Sequence, residues 1–155
     1  MRTRGHTPAL EKTAEAIDAE GWMHTGDLAT MDAQGYVNIV GRIKDMVIRG
    51  GENIYPREIE EFLYRHPQVQ DVQVVGIPDV KYGEELCAWI ILRAGQTVTE
   101  DDIKAFCQGQ IAHYKVPRYI RFVTQFPMTV TGKIQKFKIR DEMKQQLGLQ
   151  EDKTA

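Results

Sequence analysis

The stretch Pro127-Met128-Thr129-Val130-Thr131-Gly132-Lys133-Ile134-Gln135-Lys136 sets a lysine behind a Thr-Gly pair, as at the end of a phosphate-binding loop. Such a loop needs a glycine five residues before its Gly-Lys pair and a Ser or Thr after the lysine, so that amides and a hydroxyl hold phosphate and metal. Pro127 and Ile134 stand at those positions, and the phosphate-loop reading fails. Three readings of Lys133 stay open: an exposed surface charge, part of a basic patch, or a lysine delivered to chemistry built elsewhere.

Other reactive residue types form no constellation. His6, His24, His66 and His113 are scattered, with no Cys, Asp or Glu at ligand spacing, so no metal site is expected. Neither a Ser-His-Asp arrangement nor a Gly-x-Ser-x-Gly turn is present. Cys87 and Cys107 sit inside apolar segments, without a Cys-x-x-Cys frame, and read as reduced, buried thiols of a cytoplasmic protein. No apolar run is long enough to span a membrane, and residues 1–6 lack the apolar core of a signal peptide.

Charge is unevenly spread. Between His113 and Arg140 lie seven of the 20 Lys and Arg residues (Lys115, Arg118, Arg121, Lys133, Lys136, Lys138, Arg140) and none of the 22 Asp and Glu residues. A positive face on a chain of net charge −2 suggests an anionic partner. Tyr114, Tyr119, Phe122 and Phe137 interleave with these cations, as in single-strand nucleic-acid binders, yet they fit strand and helix core positions equally well.

The elements that must position these residues follow from periodicity and punctuation. Thr13–Ala19 reads as helix, and Leu28–Met31 pairs with Tyr36–Val40 about an Asp32-Ala33-Gln34-Gly35 turn. One helix and one hairpin cannot bury a core, so residues 1–42 read as the tail of a larger upstream domain. A second hairpin is expected to turn at Gly50-Gly51. A helix follows, opening near Pro56, with Ile59, Phe62 and Leu63 on one face and His66-Pro67 as its stop. Strands are expected over Val69–Ile77, Leu86–Leu92 and Tyr119–Val123, with a turn at Pro78-Asp79 between the first two. Thr99 and Asp102 form a capping-box variant before the stripe Ile103, Phe106, Cys107 and Ile111, and a last helix runs from Lys136 to Leu147. The order from residue 43 is β-β-α-β-β-α-β-α. It predicts an α+β fold with a small, mostly antiparallel sheet flanked by helices over residues 43–148, and a disordered tail over 149–155.

Three separated stretches resemble a known family. "GWMHTGDLATMDAQGYVNIVGRIKDMVIRGGENIYPREIE" (Gly21 to Glu60), "HYKVPRYI" and "PMTVTGKIQKFKIR" resemble, in order, the last core motifs and C-terminal motifs of the AMP-forming acyl-CoA synthetases of the adenylate-forming superfamily. The resemblance implies an enzyme that joins a carboxylic acid to ATP, releasing pyrophosphate, and then passes the acyl group from AMP to coenzyme A. Its substrates would be MgATP, coenzyme A and a medium- or long-chain fatty acid, with no bound prosthetic group and no nucleic-acid partner. Residues 43–148 would be the mobile lid, working against the enzyme's own N-terminal domain, and the isolated chain would be inactive.

By the same resemblance, Asp27 and Arg42 contact the ATP ribose, where an acceptor-only carboxylate suits two hydroxyl donors. Lys44 falls at the hinge between domains. Gly50 and Gly51 resemble the loop that approaches the pantetheine thiol, and glycine permits that close approach. Tyr82, Lys115 and Arg118 are candidate coenzyme A contacts. Lys133 resembles the lysine that meets the carboxylate and α-phosphate oxygens during adenylation. Two alternatives stand beside this reading: another adenylating ligase (aryl-CoA forming or carrier-protein loading), and a stand-alone basic-faced binding module.

Overall fold

Valine, isoleucine and leucine run almost unbroken through "VQVVGI" and "LCAWIIL", the pattern of strands covered on both faces. In the computed structural model, which describes residues 7–149 (backbone only over 7–11), these runs are β5 (Val69–Asp79) and β6 (Gly83–Leu92). They pair antiparallel from Val69↔Leu92 to Asp79↔Gly83. The short strands β3 (Val47–Arg49) and β4 (Glu52–Ile54) form a hairpin that joins β6 at Arg49↔Gly83, and β7 (Tyr119–Phe122) runs parallel to β6. The sheet order is β4-β3-β6-β5, with β7 also on β6, which makes β5 an edge.

Helices cover both faces. Side chains of β5 and β6 alternate, so Leu86, Ala88 and Ile90 share one core with Val72, Val74 and the helices α2 (Pro56–Leu63) and α3 (Glu100–Cys107). Cys87 and Trp89 point the other way, packing with Val75, Ile77, Phe126 and α4 (Lys136–Leu147) through Ile139 and Met143. The result is the expected α+β domain, in three layers. Pro56 opens α2 in its first turn, and Thr99 and Asp102 cap α3 reciprocally.

Several element boundaries differ from expectation, and two of the differences have a clear physical cause. The β5–β6 turn lies beyond Pro78-Asp79, because β5 continues through Pro78↔Glu84 and Asp79↔Gly83. An edge strand tolerates a proline that cannot donate, and β5 is an edge. The first helix, α1 (Thr7–Ala16), ends earlier than Ala19. Asp18 draws the backbone into a turn there, its carboxylate accepting from the amides of Glu20 at 3.0 Å and Trp22 at 2.9 Å.

The chain falls into two compact units, up to Lys44 and from Asp45. In the first, β1 (Asp27–Met31) pairs antiparallel with β2 (Val37–Arg42), and no described residue is buried. The tail expected over 149–155 lies, beyond Leu149, outside the described residues.

Cys87 and Cys107 are free and buried, and burial pushes their thiols up to about 12 and about 11. Thiols so raised carry almost no thiolate near pH 8. An Ellman titration of the native chain at that pH is expected to find no fast-reacting thiol, and a denatured sample two. A fast-reacting native thiol would show that the sheet opens readily.

Candidate functional site

Lys133 rides on a short, self-contained hairpin. Met128 and Ile134 form an antiparallel bridge, the Gln135 amide donates to the Pro127 carbonyl at 2.8 Å, and the Thr129 amide to the Lys133 carbonyl at 2.8 Å. Inside the turn the Gly132 amide donates to the Thr129 carbonyl at 2.9 Å, and the Lys133 amide to Thr129 Oγ1 at 3.0 Å. Gly132 holds φ at +79°, a conformation that would strain any other residue. The loop is thus closed by its own hydrogen bonds. The Lys133 side chain is exposed, and among the described residues no carboxylate pairs with it.

Most other cations of the basic segment are paired. Lys115 holds Glu58 at 2.7 Å, Arg121 holds Glu142 at 2.8 Å, and Lys136 holds Glu60 at 2.7 Å. Arg118 lies 3.4 Å from Asp79. Four of the seven cations are therefore neutralised by carboxylates from other parts of the fold. Tyr119 and Phe122 pack against the two cores, so the aromatics do not form a free stacking row.

Asp27 and Arg42 face each other across the β1–β2 register, and Arg42 Nε lies 3.3 Å from Asp27 Oδ1. Both side chains are open to solvent, so the pair contributes at most about 1 kcal/mol. Its groups are cheap to redirect to a ligand. Lys44 is the last residue of the first unit, inside the 3₁₀ turn Ile43–Asp45.

The Gly50-Gly51 turn joins β3 to β4 with φ of +58° and +88°. The Gly50 amide donates to the Tyr82 carbonyl at 2.8 Å, and a Cβ on Gly50 would meet the Tyr82 ring at 3.3 Å. Tyr82 and Arg118 line one cleft of about 470 Å³, together with Arg49, Lys81, Glu85, Lys104, His113, Val116 and Pro117. The Lys81 ammonium beside the Tyr82 phenol holds that phenol below its ordinary value, and the Arg49 guanidinium stacks 4.2 Å from the ring centre. Glu85 raises the Arg49 pKa by accepting its hydrogen bonds. A cleft rimmed by cations, with Glu85 as its one lining carboxylate, suits a phosphate-bearing ligand.

Of the three candidate contacts that the resemblance grouped, Tyr82, Lys115 and Arg118, the fold brings Tyr82 and Arg118 into this cleft. Lys115 is tied to Glu58 and does not line it. Arg49, Lys81, Lys104 and Glu85 were not singled out. Glu85 alone left a signal: a carboxylate in register with the inward face of an apolar strand requires a cation. Among the described residues no group of three or more His, Cys, Asp or Glu could hold a metal ion, and no helix is long and apolar enough to cross a membrane.

Residues 58–133 match the family of AMP-binding enzyme C-terminal domains. The chain is 60% identical to the mitochondrial medium-chain acyl-CoA ligase ACSF2 of Bos taurus over 145 residues, covering 94% of this chain and 24% of that protein. It is 58% identical to the putative acyl-CoA synthetase YngI of Bacillus subtilis, covering 90% of this chain and 25% of that protein. Among solved structures, ATP-bound MatB from Rhodopseudomonas palustris superposes with a TM-score of 0.83 at 37% identity, over 91% of this chain and 28% of that one. The chain thus spans about a quarter of the length of the curated relatives it matches.

Proposed function

We propose that this chain, which belongs to the family of AMP-binding enzyme C-terminal domains, is the C-terminal part of an AMP-forming acyl-CoA ligase. The observation that carries the reading is Lys133, an unpaired ammonium on an exposed, hydrogen-bonded hairpin within that domain. In the first half-reaction a carboxylate oxygen attacks the α-phosphorus of MgATP and the bond to pyrophosphate breaks. Two anions meet, and Lys133 offsets the charge gathering on the non-bridging oxygens. Asp27 and Arg42 hold the ribose hydroxyls. In the second half-reaction the coenzyme A sulfur attacks the acyl carbon, its proton passes to solvent, and AMP leaves. The Gly50-Gly51 turn lines the thiol's approach, and the cleft holding Tyr82 and Arg118 receives the phosphates of coenzyme A. Lys115 reaches them only by releasing Glu58. Lys44 is the hinge between the two poses.

The relatives' names support a medium-chain acid as substrate. Aryl acids are the second choice, supported by 40% identity to the solved anthranilate CoA ligase AuaEII. A stand-alone basic-faced module has less support, since four of its seven cations are already paired. Two buried free thiols suit a reducing compartment, and we place the enzyme in the cytoplasm.

The acyl pocket and the phosphate loop belong to the upstream domain in this reading. The purified 155-residue chain is therefore expected to show no carboxylate-dependent ATP–pyrophosphate exchange. Robust exchange by this chain alone would overturn the division of labour.

A further inference from the structure

Two ion pairs each tie one candidate loop to the sheet; neither is assigned contact with the reacting carboxyl, phosphorus or sulfur, and Arg49 and Glu85 also line the cleft around Tyr82. Resting on the ligase reading, we propose that they are separate positioning devices: Arg49–Glu85 for the Gly50-Gly51 turn in transfer to coenzyme A, and Lys136–Glu60 for Lys133 in adenylation.

The first pair compensates for a short strand. β3 has three residues and meets β6 only at Arg49↔Gly83, too little ladder to fix the turn that follows. Two successive carboxylates on β6 supply the missing bonds. Glu84 Oε2 accepts from the Ile48 amide at 2.7 Å, and Glu85 takes Arg49 Nε at 2.9 Å and Nη2 at 2.8 Å. A guanidinium fork sets orientation as well as distance, which a single ammonium bond does not. The pair is enclosed, with Glu85 1% and Arg49 15% exposed. Gly76 makes room for the arrangement: a Cβ there would lie 2.7 Å from Glu84 Oε1 and 2.9 Å from the Val47 methyls. Buried ion pairs add little stability over apolar packing, so a geometric role accounts better for this one.

The second pair closes an open edge. Val74 lies on the edge strand β5, where its amide and carbonyl need partners. Glu60 Oε1 accepts from that amide at 2.8 Å and from Lys136 Nζ at 2.7 Å, and Lys136 also reaches the Val74 carbonyl at 3.3 Å. Lys136 is the first residue of α4, where the Lys133 hairpin ends. Pinning it to β5 fixes the base of that hairpin. The two anchors share no residue, so each can be broken alone.

The test separates the half-reactions in the full-length enzyme. At saturating coenzyme A, Glu85→Gln is expected to slow acyl transfer from preformed acyl-adenylate about 10²-fold, the penalty for a misplacement of about 1 Å. Its ATP–pyrophosphate exchange should stay within about twofold of wild type. Lys136→Met should give the reverse. Where a single substitution unfolds the protein, Arg49→Met/Glu85→Leu and Glu60→Gln/Lys136→Met remove the unpaired charge and restore thermal stability. Each double variant should keep the defect of its single. Equal losses in both half-reactions, or full recovery of rate in the stabilised doubles, would overturn the proposal. A wild-type enzyme without carboxylate-dependent exchange would instead overturn the ligase reading, and this proposal with it.

Discussion

Replacing Lys133 by alanine in the full-length enzyme is expected to lower acyl-adenylate formation by about 10²–10³-fold. The size follows from what the ammonium does. Carboxylate and triphosphate repel each other on approach, and further negative charge gathers on the α-phosphate oxygens in the transition state. A fixed cation at a water-poor centre offsets both effects. Stability should not change, because the Lys133 side chain is exposed and, among the described residues, no carboxylate pairs with it. Its hairpin is held by backbone bonds and Thr129, which the substitution leaves intact. Thioester formation from preformed acyl-adenylate should be spared, since the proposed function gives Lys133 no contact in the second half-reaction. Exchange and single-turnover thioester assays separate the two outcomes. Neutralising Lys138, an exposed lysine on the same segment, should change neither rate appreciably. If Lys138→Ala matched Lys133→Ala, the segment would be acting as a diffuse cationic surface.

The largest expected effect on stability falls at Ile90. This residue is fully buried near the end of β6, opposite Val72 on β5 and Phe122 on β7. It packs in the core shared with α2 and α3. Truncation removes buried methyl groups and leaves a gap between two paired strands, where the backbone has little freedom to collapse. Ile90→Ala should cost about 2–5 kcal/mol. With a urea slope of roughly 2 kcal/mol per molar, the midpoint should fall by about 1–2.5 M. Trp89 reports the transition, being 3% exposed in the same strand, once the exposed Trp22 is replaced by phenylalanine. Val80, 96% exposed at the tip of the β5–β6 turn, supplies the control: Val80→Ala should shift stability by less than about 0.5 kcal/mol. Similar shifts at both positions would mean that the sheet is not the folding core.

Most of this fold was legible because its signals are local. Hairpins at Asp32–Gly35 and Gly50-Gly51, the α2 stripe and the Thr99–Asp102 cap each lie within a few residues of chain. The turn after β5 was misplaced because Pro78 breaks an interior strand but not an edge, and edge status depends on the whole sheet order. The basic segment misled for a related reason. Partners of Lys115, Arg118 and Lys136 are Glu58, Asp79 and Glu60, far back along the chain, so counting charge locally overstated the positive face. The same distance concealed Arg49–Glu85 and the composition of the cleft around Tyr82. Lys133 was singled out by the resemblance of its own short motif, a local signal, and the role proposed for it calls for no partner within the domain that carries it.

The central claim is that this chain serves a ligase that activates its acid as an adenylate. The most direct test incubates the full-length enzyme with MgATP, coenzyme A and a series of straight-chain carboxylic acids, and quantifies nucleotide and thioester products by chromatography. The account predicts one AMP and one pyrophosphate for each acyl-CoA formed, with medium-chain acids turned over fastest. Thioester formation accompanied by ADP and phosphate, or ATP consumption that does not depend on any acid, would contradict it.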